Sequence, residues 1–377
     1  MLLAAFAVRV IGLGAQSLWW DEAYSALLAA QGPRAILREL RDFDFHPPAH
    51  YLMDYLWMPV AGQSEFALRF PSLVAGTLTA AIGAKLGARL FGRAGGLIAG
   101  LTFAFSPFLV YYSQEARMYA AAGLFTVGAL YAAHRALERD EWRWWLAFAG
   151  ACVAGLYTFY YTAFIPITVG AYAVATAERI RPRLVRLAVA AGVVALAYAP
   201  WVPVLLRRNA VWDSQWATTS SPIKVVAWTW QTLVLGIADP RLQTLVAGTD
   251  SPKLGADALP MVLLAALAIA LVVSLTLSLI QRRRDLLFAA IAFAVPVALI
   301  AAIAAVKPVF HPRYAIAAAP GLCLLVAGAI VATQANGSKW GLVARRLPGA
   351  TIAVLAVAGA IYGNVELRTN PSYARDD

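Results

Sequence analysis

Long apolar runs separated by short charged links constrain this chain more than any other feature. A helix needs about 20 mostly apolar residues to cross a bilayer. Runs of that kind fall near 1–16, 67–91, 94–111, 118–136, 144–160, 162–178, 187–206, 259–280, 286–306, 315–333 and 350–364. The break between the fifth and sixth rests on Tyr160, Tyr161 and Pro166, because 144–178 is otherwise almost unbroken. Of the 377 residues, 61% are hydrophobic and only 14% charged; a soluble domain carries roughly 25% charged residues. Such a chain could not cover a soluble surface with polar groups. The sequence therefore predicts an all-α polytopic membrane protein, one bundle over 1–377 with about eleven spans and the lipid bilayer as its solvent.

The net charge of +11 raises the question of nucleic acid, and the placement of the charge answers it. Lys85, Arg89, Arg93, Arg135, Arg139, Arg143, Arg179, Arg181, Arg183, Arg186, Arg282, Arg283, Arg284, Lys339, Arg345 and Arg346 all lie in one alternating set of links. The opposite short links hold only Arg117, Lys307 and Arg313. Excess Lys and Arg marks the cytoplasmic side, so the charge reports topology and no nucleic-acid partner is expected. The N-terminus is then inside, the C-terminus outside, and two long loops, 17–66 and 207–258, face out. No A-x-A cleavage site follows the first run, so it reads as a first span, and Arg9 within it must snorkel or face protein. Cys152 and Cys323 lie in apolar runs and read as small buried hydrophobes. No acidic residue falls in the middle of a span, so the carboxylate relay common in proton-coupled transporters is missing.

Within the first long loop, Leu27, Leu28, Ile36, Leu37 and Leu40 sit at helical spacing, and Pro33 suits a first helical turn. Two amphipathic helices over 24–31 and 34–41 follow, lying on the membrane surface. The second long loop carries Trp212, Trp216, Trp228 and Trp230, an aromatic-belt pattern.

Four constellations of chemistry-bearing residues all fall on the outer side. Trp19-Trp20-Asp21-Glu22-Ala23-Tyr24 follows the first run; its paired carboxylates suit a general base or a cation ligand, and equally a helix cap. Asp42 to Tyr51 holds Asp44, His46 and His50 around Pro47 and Pro48. Asp44 and His46 are candidate ligands for a divalent metal, against the simpler reading of a rigid turn. Tyr112-Ser113-Gln114-Glu115-Ala116-Arg117 joins the third and fourth spans, with Arg117 either an anion clamp or half of an ion pair with Glu115. Lys307, His311, Arg313 and Tyr314 crowd a short outer link with cations, against the charge rule, and point to an anion such as a lipid phosphate.

WWDEAYS, HPPAHY, YYSQEARMYA and HPRY, in that order over about 300 residues, resemble the GT-C superfamily of membrane glycosyltransferases. More narrowly they resemble the protein O-mannosyltransferase and aminoarabinose transferase relatives. The resemblance implies a GT-C helical bundle and a sugar donor carried on a decaprenyl or undecaprenyl phosphate. The acceptor hydroxyl would belong to a glycan, lipid or protein, at the outer face of a bacterial plasma membrane. It implies Asp21 and Glu22 as catalytic carboxylates, with Arg117 and Arg313 at the donor phosphate, to which the charge pattern of the outer link adds Lys307. Tyr24, His46, His50, Tyr112, Gln114, Glu115, His311 and Tyr314 would line the substrate pocket, and no cofactor is certain beyond the divalent-metal question. The chain ends at NPSYARDD, where larger relatives continue into further helices or a soluble outer domain. A lipid or glycan transporter and a non-catalytic lipid-binding scaffold are the alternatives. The first would need a polar path through the bilayer, and the second would not need outer carboxylates and cations in this order.

Overall fold

Apolar runs fold as helices because a helix satisfies every backbone polar group within itself, whatever surrounds it. The computed structural model describes residues 1–44, 46–176, 181–211, 221–236, 258–280, 284–307, 310–332 and 342–370. Among them no strand occurs, and each run read from the sequence coincides with a helix over at least part of its length. In chain order these are α1 (Leu2–Val10), α2 (Trp20–Ala30), α3 (Pro33–Asp42), α4 (Ala49–Ala61), α5 (Glu65–Phe105), α6 (Pro107–Tyr112), α7 (Tyr119–Arg139) and α8 (Trp142–Thr158). After them come α9 (Phe164–Ala175), α10 (Leu184–Tyr198), α11 (Val202–Val211), α12 (Pro222–Leu235), α13 (Ala258–Ile280), α14 (Arg284–Val306), α15 (Ala319–Ala332) and α16 (Leu342–Thr369).

Four of the described helices are long and apolar enough to cross a membrane: 65–105, 184–207, 284–306 and 348–369. That is fewer than the eleven spans expected. The helices over 160–175 and 319–332 are apolar but too short to span. The helix 65–105 holds two of the expected runs. It doubles back at Gly92, whose φ of +77° lies where glycine alone is at ease. Its limbs pack through small residues: a Cβ on Gly96 would stand 2.6 Å from the Ala88 Cβ, and one on Gly100 3.0 Å from that of Ala84. Most of the second long loop, the Trp212 and Trp216 positions included, lies outside the described residues, as do 371–377. Two elements were not expected: α4, inside the first long loop, and α12, inside the second.

The chain divides into two compact units. The first comprises Met1–Ala5, Ala80–Tyr111 and Trp216–Tyr373. In it α14 packs on α15, α13 on α16, and α12 on α14. The second comprises Phe6–Thr79, Tyr112–Gln215 and Ala374–Asp377. In it α7 packs on α8, α8 on α10, and α2 on α4. The two surface helices expected in the first loop are present. Pro33 stands at the first turn of α3, and Ile36 and Leu40, both fully buried, join Leu28 and Tyr51 in one apolar cluster. Arg34, Arg38 and Arg41 lie on the exposed side of α3.

Arg9 faces protein. It is fully buried, and its Nε donates to Ser113 Oγ at 3.1 Å. Gly76 on α5 makes the room: a Cβ there would stand 2.0 Å from Ser113 Oγ and 2.8 Å from Arg9 Nε. A Cβ on Gly128 of α7 would meet nothing within 4 Å. Gly76→Ala is therefore expected to lower stability by about 1–3 kcal/mol, the usual cost of overpacking. Gly128→Ala is expected to raise it by about 0.5–1 kcal/mol through helix propensity. Thermal unfolding in detergent compares the two signs.

Candidate active site around Asp21 and Glu22

The adjacent carboxylates begin in the same turn of α2 but point about 100° apart around it. They consequently meet different surroundings. Glu22 is fully buried. Its Oε1 accepts from Arg69 Nε at 3.0 Å and from the Ala116 N–H at 2.6 Å. Its Oε2 accepts from Arg69 Nη2 at 2.6 Å and from the Trp19 N–H at 3.4 Å. Those four contacts fill a carboxylate's acceptor sites. Arg69, buried on α5, donates in addition from Nη1 to the carbonyls of Leu13 and Gln16 and from Nη2 to that of Ser17. All five guanidinium N–H donors are engaged.

Asp21 differs. Its side chain is 28% exposed, and Oδ2 lies 3.9 Å from Arg117 Nη2. Of the pair, Asp21 alone presents a carboxylate that a substrate could reach.

Arg117 was expected at the donor phosphate, but its side chain is only 2% exposed. Its Nη1 donates to Ser25 Oγ at 2.5 Å and to the Asp21 carbonyl at 3.1 Å, and its Nη2 stands 3.4 Å from His46 Nε2. Desolvation disfavours its charge, yet the Tyr119, Tyr51, Asp21 and Asp44 side chains around it outweigh that and keep it protonated. As placed, Arg117 organises Asp21 and His46 from beneath.

His46 and Asp44 do come together. Asp44 Oδ1 lies 2.8 Å from His46 Nδ1, and Asp44 Oδ2 accepts from the Tyr51 hydroxyl at 2.6 Å. Burial pushes the Asp44 carboxyl up, but His46, Tyr51 and Arg117 together hold it well below the usual carboxylate range. Among the described residues no group of three or more His, Cys, Asp or Glu side chains converges as a metal site would. Asp44 and His46 bind each other, so the side chains present do not fit the divalent ion that this pair suggested in the sequence.

Other expected pocket residues serve as supports. His50, on α4, bonds from Nε2 to the Ala116 carbonyl at 3.0 Å and lies 3.4 Å from Asp54. Tyr24 donates to Glu39 on α3 at 3.0 Å. Gln114 donates to the carbonyls of Arg9 and Ile11, both at 2.9 Å, closing the end of α1. Tyr112 meets Tyr119 edge-on at 5.1 Å, and Glu115 is buried. The segment 113–117 is thus pinned along its length, the Arg117 carbonyl accepting from Ser72 at 3.2 Å. Lys307, His311, Arg313 and Tyr314 belong to the other unit. There the Arg313 N–H donates to His311 Nδ1 at 3.4 Å, and Tyr314 is buried.

Two members of this network were not read from the sequence. Arg69 lies in what reads as a span, and a cation there implies a buried anion; that was the available signal. Asp54 had none. Burial pushes its carboxyl up to about 8, against the pull of Arg117, and pulls the His50 imidazole down to about 3, the Arg117 charge adding to the effect.

Residues 45–205 match the family model described as dolichyl-phosphate-mannose-protein mannosyltransferase. The fold is that of GT-C glycosyltransferases. The structure of ArnT from Cupriavidus metallidurans bound to undecaprenyl phosphate superposes with a TM-score of 0.61 at 15% identity, over 97% of this chain and 75% of that one. Archaeal oligosaccharyltransferase AglB from Archaeoglobus fulgidus, in complex with an inhibitory peptide and a dolichol-phosphate, superposes at 0.55 and 13% identity, over 97% and 55%. The Archaeoglobus fulgidus oligosaccharyltransferase in complex with Zn and sulfate gives 0.58 at 15%, over 97% and 52%. No curated protein sequence matches.

Two outcomes are expected of the network. Glu22→Gln places an amide against donors that need acceptors and leaves the Arg69 charge buried without its partner, so unfolding stability should fall by about 3–5 kcal/mol. Asp54 has a folded-state pKa raised from 3.8 to about 8. Its protonated form therefore contributes stability that is full below 3.8 and is lost as the pH rises through about 8. The stability difference, wild type minus Asp54→Asn, should fall across that window; a difference that rises with pH would mean Asp54 is ionised in its site.

Proposed function

We propose that the protein is a glycosyltransferase that moves a sugar from a polyprenyl-phosphate donor to an acceptor hydroxyl at the outer face of a bacterial plasma membrane. One observation carries the reading: Asp21 is the accessible member of the carboxylate pair, beside a buried guanidinium. In this reading Asp21 takes the proton of the acceptor hydroxyl or orients that hydroxyl, as a general base does. Arg117, 3.9 Å from the Asp21 carboxylate and bonded to the Asp21 carbonyl, holds that residue in position. Glu22 has no free acceptor site and serves to fix α2, α5 and the 113–117 segment. His46, oriented by Asp44, presents Nε2 toward Arg117 and borders the acceptor. Lys307 and Arg313 are assigned to the donor phosphate on grounds of charge, since cations stabilise a departing oxyanion. The ArnT structure is bound to undecaprenyl phosphate and the AglB structure to a dolichol-phosphate, ligands of the carrier class proposed here.

Purified protein, given synthetic polyprenyl-phosphate sugars with and without chelator, tests the proposal. Asp21→Asn should lower transfer about 10²–10⁴-fold, the usual worth of a general base, with the unfolding midpoint unchanged. Near-normal turnover in that variant would remove Asp21 from the chemistry. Transfer by neither protein from any donor, with both folded, would favour the lipid-binding alternative.

A further inference from the structure

The helix α12 was not expected from the sequence and is not used by the network around Asp21. Val225 stands four residues before Thr229 and Trp228 four before Thr232, which puts all four within about 100° of one another on one face of the helix. That face is buried: Thr229 and Thr232 are fully inaccessible and Trp228 is 7% exposed. It also carries three polar atoms without a partner, the Trp228 Nε1 and the hydroxyls of Thr229 and Thr232. Buried polar groups are nearly always paired, and each exception calls for a cause.

Threonines on other helices of this chain show what Thr229 and Thr232 could have done. Thr77, Thr79, Thr158 and Thr168 each donate to the carbonyl four residues back, at 2.7–2.9 Å. Thr229 and Thr232 do not. Unpartnered buried atoms occur elsewhere among the described residues, the Thr126 and Tyr198 hydroxyls and the Nε1 of Trp19 and Trp144 included, but on α12 Trp228 adjoins Thr229 and stands one turn before Thr232. The same helix packs against the turn 312–317, and Trp228 lies on Phe310 at 5.9 Å and 35°. That turn carries Arg313 and Tyr314.

We infer that Trp228, Thr229 and Thr232 form a subsite on α12 for a neutral group bearing several hydroxyls, the glycosyl unit of a polyprenyl-phosphate sugar. One N–H and two hydroxyls offer donors and acceptors without charge, which is the complement of a sugar edge and a poor match for a bare anion. Naming the ligand as the donor's glycosyl unit rests on the function proposed above; the hydroxyl-binding face does not.

The test uses the full chain in detergent and Thr229→Val/Thr232→Val, which replaces each hydroxyl with a methyl group of like shape. Trp228→Phe, which keeps the ring on Phe310 and removes the N–H, is the second variant. Binding is measured for bare polyprenyl phosphate and for the same lipid carrying mannose or aminoarabinose. The glycosylated lipids should lose about threefold to tenfold in affinity for each hydrogen bond removed, with bare lipid phosphate bound as before. Equal loss for both lipids, or loss for neither, would overturn the subsite. The unfolding midpoint gives an independent reading: unpaired hydroxyls replaced by methyl should leave it unchanged or raised, and a clear fall would show that they are structural. Should the wild type bind no polyprenyl lipid, the functional reading fails. The face is then judged with methyl mannopyranoside and inorganic phosphate: saturable glycoside binding lost in the double variant upholds it, and binding of phosphate alone or of neither overturns it.

Discussion

The buried contact between Glu22 and Arg69 is the interaction on which the candidate site depends. An ion pair taken out of water repays its desolvation only when its remaining donors and acceptors are also matched. Here four acceptor positions of the carboxylate and five donors of the guanidinium are used, by α2, α5, the 13–17 link and the backbone of Ala116. Such saturation yields modest net stability and high specificity, because a shift of any one of these elements leaves a charge exposed to an apolar interior. The 113–117 segment is thereby set against α2, and with it Arg117.

Once that segment is fixed, the unlike surroundings of Asp21 and Glu22 follow from helix geometry. A single step along α2 turns the side chain by about 100°, enough to send Glu22 inward to Arg69 and leave Asp21 at the accessible edge, 3.9 Å from Arg117. Two identical functional groups then take unlike roles through their surroundings alone. The support extends downward: Ala116, whose N–H faces Glu22, offers its carbonyl to His50, and His50 lies against Asp54.

Much of the fold was legible because a spanning helix announces itself by length and apolarity. The turn at Gly92 was legible as a gap between two runs, and the amphipathic α3 as a period. What escaped the sequence was partnership. Nothing in WWDEAYS distinguishes a carboxylate that will meet Arg69 from one that will stay partly exposed, since 47 residues separate the partners in the chain. Arg117 reads as a phosphate clamp by type, and only its enclosure shows that its donors already face Ser25, the Asp21 carbonyl and His46. The helix α12 escaped for another reason: its threonines, glutamine and two tryptophans resemble a loop at a membrane edge, and the apolar period is visible only when Thr229 and Thr232 are counted as buried.

Those two threonines also show how to weigh polar groups in such a protein. Around Asp21 several buried polar groups are paired: Arg9 meets Ser113, Arg69 meets Glu22, and Tyr51 meets Asp44. Unpartnered buried polar atoms also occur there, the Trp19 Nε1 and Arg117 Nε among them, but on α12 three of them stand within two turns on one helix face. Each such group costs free energy when nothing binds it, and a face that keeps them is explained most economically by a ligand that supplies what the protein withholds.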